Sequence, residues 1–182
     1  SGPAGVPRPA TATALTAFLH GIEQRAWVFA LCQGGDAAHA DQALAGAERA
    51  FIAESGSLPL SEWPLRFWAA LLRQPGLLAV LDPQLELARF EPGPRAALLL
   101  RLLANLDGAH AAEALGVSVR AYEAALGQAM ATPGLASDST IGKHETIASC
   151  ALSCASVGLR STANARHASA KYMRYVGPTS RM

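Results

Sequence analysis

The chain has 182 residues, of which 51% are apolar and 16% are charged, so it can bury a core and is not a disordered polyelectrolyte. Aromatic residues make up only 6% and Ala is abundant, which favours helices over sheets. No uncharged apolar run approaches the roughly 18 residues of a membrane-spanning helix, and no signal-peptide core is visible. Three Cys, an odd number, argue against a disulfide framework and predict a reducing, cytoplasmic setting.

The formal net charge of +1 is unevenly distributed along the chain. Residues 1–136 hold nine Arg, no Lys and twelve acidic residues, whereas residues 137–182 hold four Arg and two Lys against two acidic residues. This change of composition predicts that residues 133–182 form an irregular or disordered tail. Three interpretations of the tail remain open: a disordered basic arm, a helix-poor appendage, or sequence of a different origin such as a shifted reading frame.

Three amphipathic helices are predicted over residues 11–76. Apolar residues recur at three- and four-residue steps from Leu15 to Ala30, and the Gly pair at residues 34–35 is expected to end this first helix. Asp36 is predicted to cap the second helix, and Ser61 to cap the third, by accepting hydrogen bonds from free backbone amides. The three helices predict a small bundle.

A second helical group is predicted over residues 94–132, after a linker at residues 77–93. The linker region is interrupted by Pro and Gly around a short helical piece. A strong stripe of leucines then predicts a helix, and Asp107-Gly108 is expected to turn the chain. The predicted fold class is therefore all-α, with two small helical domains (a three-helix bundle plus a helix-turn-helix domain) and an irregular C-terminal tail.

The segment AAEALGVSVRAYEAAL, at residues 111–126, reads as a helix-turn-helix. Gly116 is expected to form the tight turn, and Ser118 to cap the second helix. Val117, Tyr122 and Leu126 are expected to point back towards the first helix. In DNA-binding proteins of this type the second helix lies in the major groove. A plain helical corner without DNA contact remains the alternative interpretation.

Residues 90–130 resemble region 4 of bacterial sigma-70-type factors, in the style of the small extracytoplasmic-function group. The resemblance rests on the Pro-rich start with Arg95, the leucine-rich helix and the helix-turn-helix that follows. The segment EWPLRFWAALLRQP at residues 62–75 and the Gly-Asp pair at residues 35–36 are similar to parts of region 2 and occur in the expected order. Together the two blocks cover about residues 12–131 and none of the tail.

The resemblance implies that the second helix of the first bundle binds core RNA polymerase through an Asp, a Gln and a Phe. If Phe51 is that Phe, Ala45 takes the Asp position and Glu48 the Gln position. If the Gly-Asp pair sets the alignment instead, Asp41 falls one residue from the Asp position. The residues expected to bind polymerase are therefore Asp41, Ala45 and Glu48.

The resemblance also implies two sets of DNA-binding residues. The start of the last helix would read duplex DNA through Ser118, Val119, Arg120 and Ala121. Trp63 and Arg66 would face unpaired promoter bases, because aromatic rings and Arg suit single strands. The last helix carries only Arg120 and Glu123, which predicts weak binding to DNA in isolation, since affinity depends on the number of basic contacts to phosphate.

These observations predict a non-catalytic transcription initiation factor whose partners are core RNA polymerase and promoter DNA. An anti-sigma protein would be a further partner, and no membrane, cofactor or metal ion is expected. No nucleotide-binding loop or catalytic triad motif is found, so an enzyme is not expected. The alternative is a degenerate sigma-like helical module that acts through protein–protein contacts without DNA. A third possibility is a stand-alone helix-turn-helix repressor, which would be a dimer on a palindromic site.

Overall fold

The computed structural model describes residues 9–77, 81 and 86–132, and this part of the chain is helical without any strand. The predicted all-α class is thereby confirmed. Within the described ranges no helix combines the length and the apolar character needed to cross a lipid bilayer. The α-helices are α1 (Pro9–Gly34), α2 (Ala37–Ser55), α3 (Trp63–Leu72), α4 (Pro92–Leu99), α5 (Gly108–Leu115) and α6 (Val119–Met130). Short 3-10 turns lie at Leu60–Glu62 and Glu86–Arg89, and a π-helical turn at Leu100–Ala104 continues α4.

The corner between α1 and α2 is built as the sequence predicts. Gly35 adopts a left-handed φ of 73°, and its N–H donates to the Leu31 carbonyl oxygen at 2.7 Å. Asp36 then caps α2, because its carboxylate accepts hydrogen bonds from the backbone amides of Ala38 at 2.7 Å and His39 at 3.4 Å. The corner lets α2 fold back along α1.

The predicted cap at Ser61 is wrong. Ser61 lies inside the 3-10 turn that leads directly into α3, and the Glu62 N–H donates to the Pro59 carbonyl oxygen at 3.0 Å. The extended backbone that a capping residue needs occurs at Pro59, with φ −65° and ψ 147°, and a Pro side chain has no oxygen to accept a bond. Pro64 lies in the first turn of α3, where its missing N–H costs nothing.

An aromatic cluster holds α1, α2 and α3 together. The Phe51 ring lies 5.8 Å from the Phe67 ring and 5.7 Å from the Trp63 ring, in edge-to-face arrangements. Phe18 closes the cluster from α1, with its ring 5.2 Å from that of Phe51. Trp68, which is fully buried, packs on Phe29 of α1 at 5.4 Å. These tilted and edge-on contacts are the favourable geometry for aromatic pairs.

One hydrophobic cluster joins the two predicted helical groups. It contains residues of α1, α2 and α3 together with Ala112 of α5 and Ala129 of α6. The described part of the predicted linker also packs inward, because Leu77, Leu81 and Phe90 are buried. The described residues share this single hydrophobic core. The division into domains at residues 11–76 and 94–132 stays a prediction. Residues 78–80 and 82–85 of the predicted linker, and the predicted tail at 133–182, lie outside the described residues.

Buried polar contacts fasten α4 to α1. Arg95 of α4 is 1% exposed, and its guanidinium donates to Gln33 Oε1 at 3.2 Å, to the Gln33 carbonyl oxygen at 3.1 Å and to the Phe90 carbonyl oxygen at 3.2 Å. Gln33 in turn donates from Nε2 to the Pro92 carbonyl oxygen at 3.0 Å. In the π-helical turn after α4, the Leu103 carbonyl oxygen accepts a solvent-exposed hydrogen bond from Arg25 at 3.2 Å. The segment that leads into the helix-turn-helix is therefore tied to α1 at the start of α4 and in the π-helical turn after it.

Candidate nucleic-acid interface

The turn between α5 and α6 has the geometry of a helix-turn-helix corner. Gly116 adopts a left-handed φ of 71°, a conformation that favours Gly because other residues meet a steric penalty there. The Gly116 N–H donates to the Glu113 carbonyl oxygen and the Val117 N–H to the Ala112 carbonyl oxygen, each at 3.0 Å. Ala112 is buried, so α5 and α6 approach closely at this corner.

Side-chain caps begin both helices of the corner. The Ser118 hydroxyl accepts from the Ala121 N–H at 3.1 Å, as predicted. Asp107 caps α5 by accepting from the His110 N–H at 2.8 Å, and its carboxylate also contacts His110 Nδ1 at 2.7 Å. The pKa of Asp107 is lowered, chiefly by the hydrogen bond from the backbone of His110. Each cap satisfies an amide that the first turn of a helix leaves without a helical partner.

Tyr122 anchors α6 to α4. The side chain is 2% exposed, and its hydroxyl donates to the Ala97 carbonyl oxygen at 3.4 Å. Burial raises the pKa of Tyr122, although Arg101 acts in the opposite direction. Ala129 is buried on the same side of α6, seven residues further along. Because 3.6 residues make one turn, these two residues fix which face of α6 packs inward and which faces solvent.

The four predicted DNA-reading residues lie together at the exposed start of α6. Ser118, Val119, Arg120 and Ala121 are all exposed, and Val119 retains 43% of its accessible surface. The prediction that Val117 points back towards the first helix is wrong, because its side chain is 44% exposed. Tyr122 and Leu126, the other residues of that prediction, are buried and partly buried against the core. The first turn of α6 is therefore accessible to solvent.

The exposed face of α6 is almost uncharged. It carries Arg120 and Glu123, while α5 adds the exposed acidic residue Glu113 and the cap of α5 adds Asp107. No basic cluster therefore lies on the α5–α6 corner, and the electrostatic attraction to phosphate is weak there. The corner instead presents an exposed helix start that carries one guanidinium group and small or apolar side chains.

Trp63 is not placed as the resemblance implies. Its side chain is 2% exposed and packs against Phe18 and Phe51, so the indole ring is not available to stack on an unpaired base. Trp63 and Phe67 are four residues apart and so lie on the same face of α3, and both rings pack against Phe18 and Phe51. The indole Nε1 of Trp63 has no hydrogen-bond partner, and neither has Nε of Arg66.

Arg66 stays accessible on the same helix. Its side chain is 40% exposed and lies 3.6 Å from the carboxylate of Glu62, which is 43% exposed. An exposed pair of this kind contributes little to stability, about 0.3–0.5 kcal/mol at i,i+4 on a helix. Trp63 and Arg66 are close in sequence but differ in solvent exposure. Of the two, only Arg66 could contact a phosphate or a base.

The predicted polymerase-binding residues share one side of α2. Asp41, Ala45 and Glu48 are spaced by four and three residues, and all three are partly buried. Asp41 accepts a hydrogen bond from Trp27 Nε1 at 2.8 Å. Burial raises the pKa of Asp41, the bond from Trp27 opposes this effect, and the nearby Asp36 carboxylate adds to it. Asp41 therefore has a role within the fold, since it links α2 to α1.

Sequence reasoning missed the long-range contacts that hold this surface in place. The buried pair of Gln33 and Arg95 and the hydroxyl bond of Tyr122 fix α4 and α6 against the rest of the chain. Arg95 gives a weak signal, because it is the charged residue next to a strongly apolar stripe, whereas nothing marks Gln33 at the end of α1.

No protein-family model, no curated protein and no solved structure matches this chain.

Proposed function

We propose that the chain is a small sigma-70-type transcription initiation factor that binds core RNA polymerase and promoter DNA in the cytoplasm. The observation that carries the proposal is the exposed start of α6, which follows the left-handed turn at Gly116 and is capped by Ser118. A helix presented in this way can enter the major groove with its first side chains towards the base edges.

The proposed mechanism is non-catalytic. Arg120 is the side chain suited to direct base reading, because a guanidinium can donate two hydrogen bonds to the major-groove edge of guanine. Ser118, Val119 and Ala121 flank it and would contribute polar and apolar contacts to neighbouring bases. Free amides in the first turn of α6 would add a favourable potential near a phosphate.

The affinity of α6 alone for DNA is expected to be low. A strong binder neutralises roughly 6–10 phosphates, and α6 carries one Arg. In a transcription factor of this type, polymerase holds the factor at the promoter. The contact between α6 and DNA then forms within one complex, so a low affinity of α6 for DNA is sufficient. In this proposal the α2 side with Asp41, Ala45 and Glu48 docks on polymerase, and an anti-sigma protein would compete for it.

The test measures association with core RNA polymerase and promoter-dependent transcription with purified components. We expect the full chain to retain core polymerase in a pull-down, and Arg120→Ala to lose promoter-dependent transcription while still binding polymerase. Arg73→Ala is the matched control, since it removes an exposed Arg at the end of α3 and leaves both α2 and α6 intact. A pull-down without association between the chain and core polymerase would count against the proposal.

A protein-interaction module without DNA contact is the second candidate function. The near-neutral exposed face of α6 and the burial of Trp63 favour it, because both reduce the surface available to nucleic acid. In that case the intact chain binds a protein partner but supports no promoter-dependent transcription. The same assay therefore separates the two candidates: activity that depends on Arg120 supports the first, and inactivity of the intact chain supports the second.

A further inference from the structure

The π-helical turn after α4 carries two exposed guanidinium groups. Arg101 belongs to the turn itself, and Arg25 reaches the turn from α1, where its Nη1 donates to the Leu103 carbonyl oxygen at 3.2 Å. Both Arg residues are exposed, and neither forms an ion pair with another described residue. Two positive charges without a described counter-ion therefore border one turn of the chain, and they attract anions.

The surroundings of the turn leave these two groups available to a ligand. The bond to the Leu103 carbonyl oxygen positions Arg25 and uses one of the five N–H donors of its guanidinium. The acidic residue that follows the turn, Asp107, pairs with His110 Nδ1 at 2.7 Å at the start of α5, and not with either Arg.

The turn lies beside α6. The Tyr122 hydroxyl of α6 donates to the Ala97 carbonyl oxygen at 3.4 Å, and Arg101 follows four residues after Ala97. Burial raises the pKa of Tyr122, and the positive charge of Arg101 opposes this effect, as expected for a guanidinium near the hydroxyl. Packed helices are about 8–10 Å apart, and the major groove of DNA is about 12 Å wide. Arg101 is therefore at the distance from α6 at which phosphates border a groove that α6 enters.

We propose that the π-helical turn is a phosphate-binding site, where Arg101, assisted by Arg25, contacts a phosphodiester of the DNA duplex that receives the start of α6. The inference rests on the proposed function, because α6 must enter a major groove. It adds the backbone contacts that α6 lacks: Arg120 reads bases, and Arg101 positions the duplex. Contacts to phosphate carry no sequence information, so the loss of Arg101 should weaken binding to every duplex equally.

Binding of the full chain to a labelled DNA duplex, measured by fluorescence anisotropy between about 25 and 100 mM salt, tests this inference. The logarithm of the affinity should fall linearly with the logarithm of the salt concentration. Each phosphate contact contributes about 0.9 to the slope, so Arg101→Gln should reduce its magnitude by about 0.9. Over this range the affinity of the variant should then fall by about 3.5-fold less than that of the wild type.

Three comparisons give the change in slope its meaning. Arg101→Lys keeps the charge and should retain most of the wild-type slope. Arg120→Gln should alter the preference among duplexes of different sequence, whereas Arg101→Gln should leave that preference unchanged. Arg73→Gln is the control, because it removes an exposed Arg at the end of α3 and should leave the slope unchanged. Far-UV circular dichroism checks that each variant keeps its helices.

An unchanged slope in Arg101→Gln overturns the inference, and so does the absence of duplex binding at the lowest salt concentration. Neither result decides the proposed function, because association with polymerase and promoter-dependent transcription are measured separately. Titration with inorganic phosphate alone distinguishes a duplex from a free ion. We expect a dissociation constant for inorganic phosphate weaker than about 1 mM. Tighter binding of the free ion that Arg101→Gln abolishes overturns the assignment to DNA.

Discussion

Arg95 on α4 and Gln33 on α1 are joined by two hydrogen bonds in the interior of the protein. Arg95 Nε donates to Gln33 Oε1 at 3.2 Å, and Nη2 donates to the Gln33 carbonyl oxygen at 3.1 Å. Both residues are essentially excluded from solvent. The pair connects the first three helices to the segment that carries α6, so the position of the candidate interface depends on it.

Replacing Arg95 by Met should lower the free energy of unfolding by about 3 kcal/mol. The substitution keeps the apolar stem but removes the donors to two carbonyl oxygens and one amide oxygen, and buried acceptors without partners cost about 1–3 kcal/mol each. The measurement is urea unfolding followed by circular dichroism. In a double-mutant cycle with Gln33→Leu, the two losses should add to more than the double variant loses. Strictly additive losses would show that the two side chains do not interact.

Gly76→Ala should destabilise the protein more than Gly116→Ala. Both positions have left-handed backbones, with φ of 81° and 71°, so each substitution costs roughly 1–2 kcal/mol of strain. At Gly76 the added Cβ would also collide with the His39 ring, whose Nε2–H donates to the Pro75 carbonyl oxygen at 2.6 Å, whereas at Gly116 the space is open. We expect a total loss of about 3 kcal/mol for Gly76→Ala. Thermal or urea unfolding that shows equal losses for the two variants would contradict the structure.

Asp41→Asn should stabilise the protein at pH 7. Burial raises the pKa of Asp41, so keeping this carboxylate ionised in the folded state costs free energy above the ordinary Asp pKa of 3.8. An Asn oxygen can still accept from Trp27 Nε1, and it carries no charge. Below that pKa the wild-type carboxyl is protonated in both states, so the difference between the two proteins should vanish.

The measurement is the midpoint of thermal unfolding at pH 7 and at low pH. Asp41→Ala is the control, because it removes the charge and also the acceptor of the bond from Trp27. It should give a lower midpoint than Asp41→Asn at every pH. A midpoint for Asp41→Asn at or below that of the wild type at pH 7 would be the opposite of the expected sign.

Ser118→Ala should cost about 1 kcal/mol of stability, which is typical for the loss of an N-cap hydrogen bond. The Ser118 hydroxyl accepts from the Ala121 N–H at 3.1 Å, so its loss frays the turn that positions Arg120. Ser118→Asn keeps a capping oxygen and should stay within about 0.5 kcal/mol of the wild type. Urea unfolding measures both variants. If Ala and Asn cost the same, the cap does not operate at this position.

Local patterns were enough to predict the helices and their corners. The apolar spacing indicates each helix, Gly35 and Gly116 occupy the left-handed positions expected of them, and Asp36 and Ser118 cap the helices that follow. These features depend on residues within one or two turns, so the sequence contains them. The cap expected at Ser61 failed for a local reason as well, since a 3-10 turn moved the extended backbone position to Pro59.

The sequence by itself determined the all-helical class, the helix-turn-helix corner and the charge-poor surface of its second helix. Only the tertiary structure decided which side chains are accessible, because burial depends on residues that are distant along the chain. Trp63 is part of the core because Phe18 and Phe51, which are distant in sequence, pack against it. The two helical groups share one hydrophobic core, and Arg95 also joins them through its hydrogen bond to Gln33, 62 residues earlier in the chain.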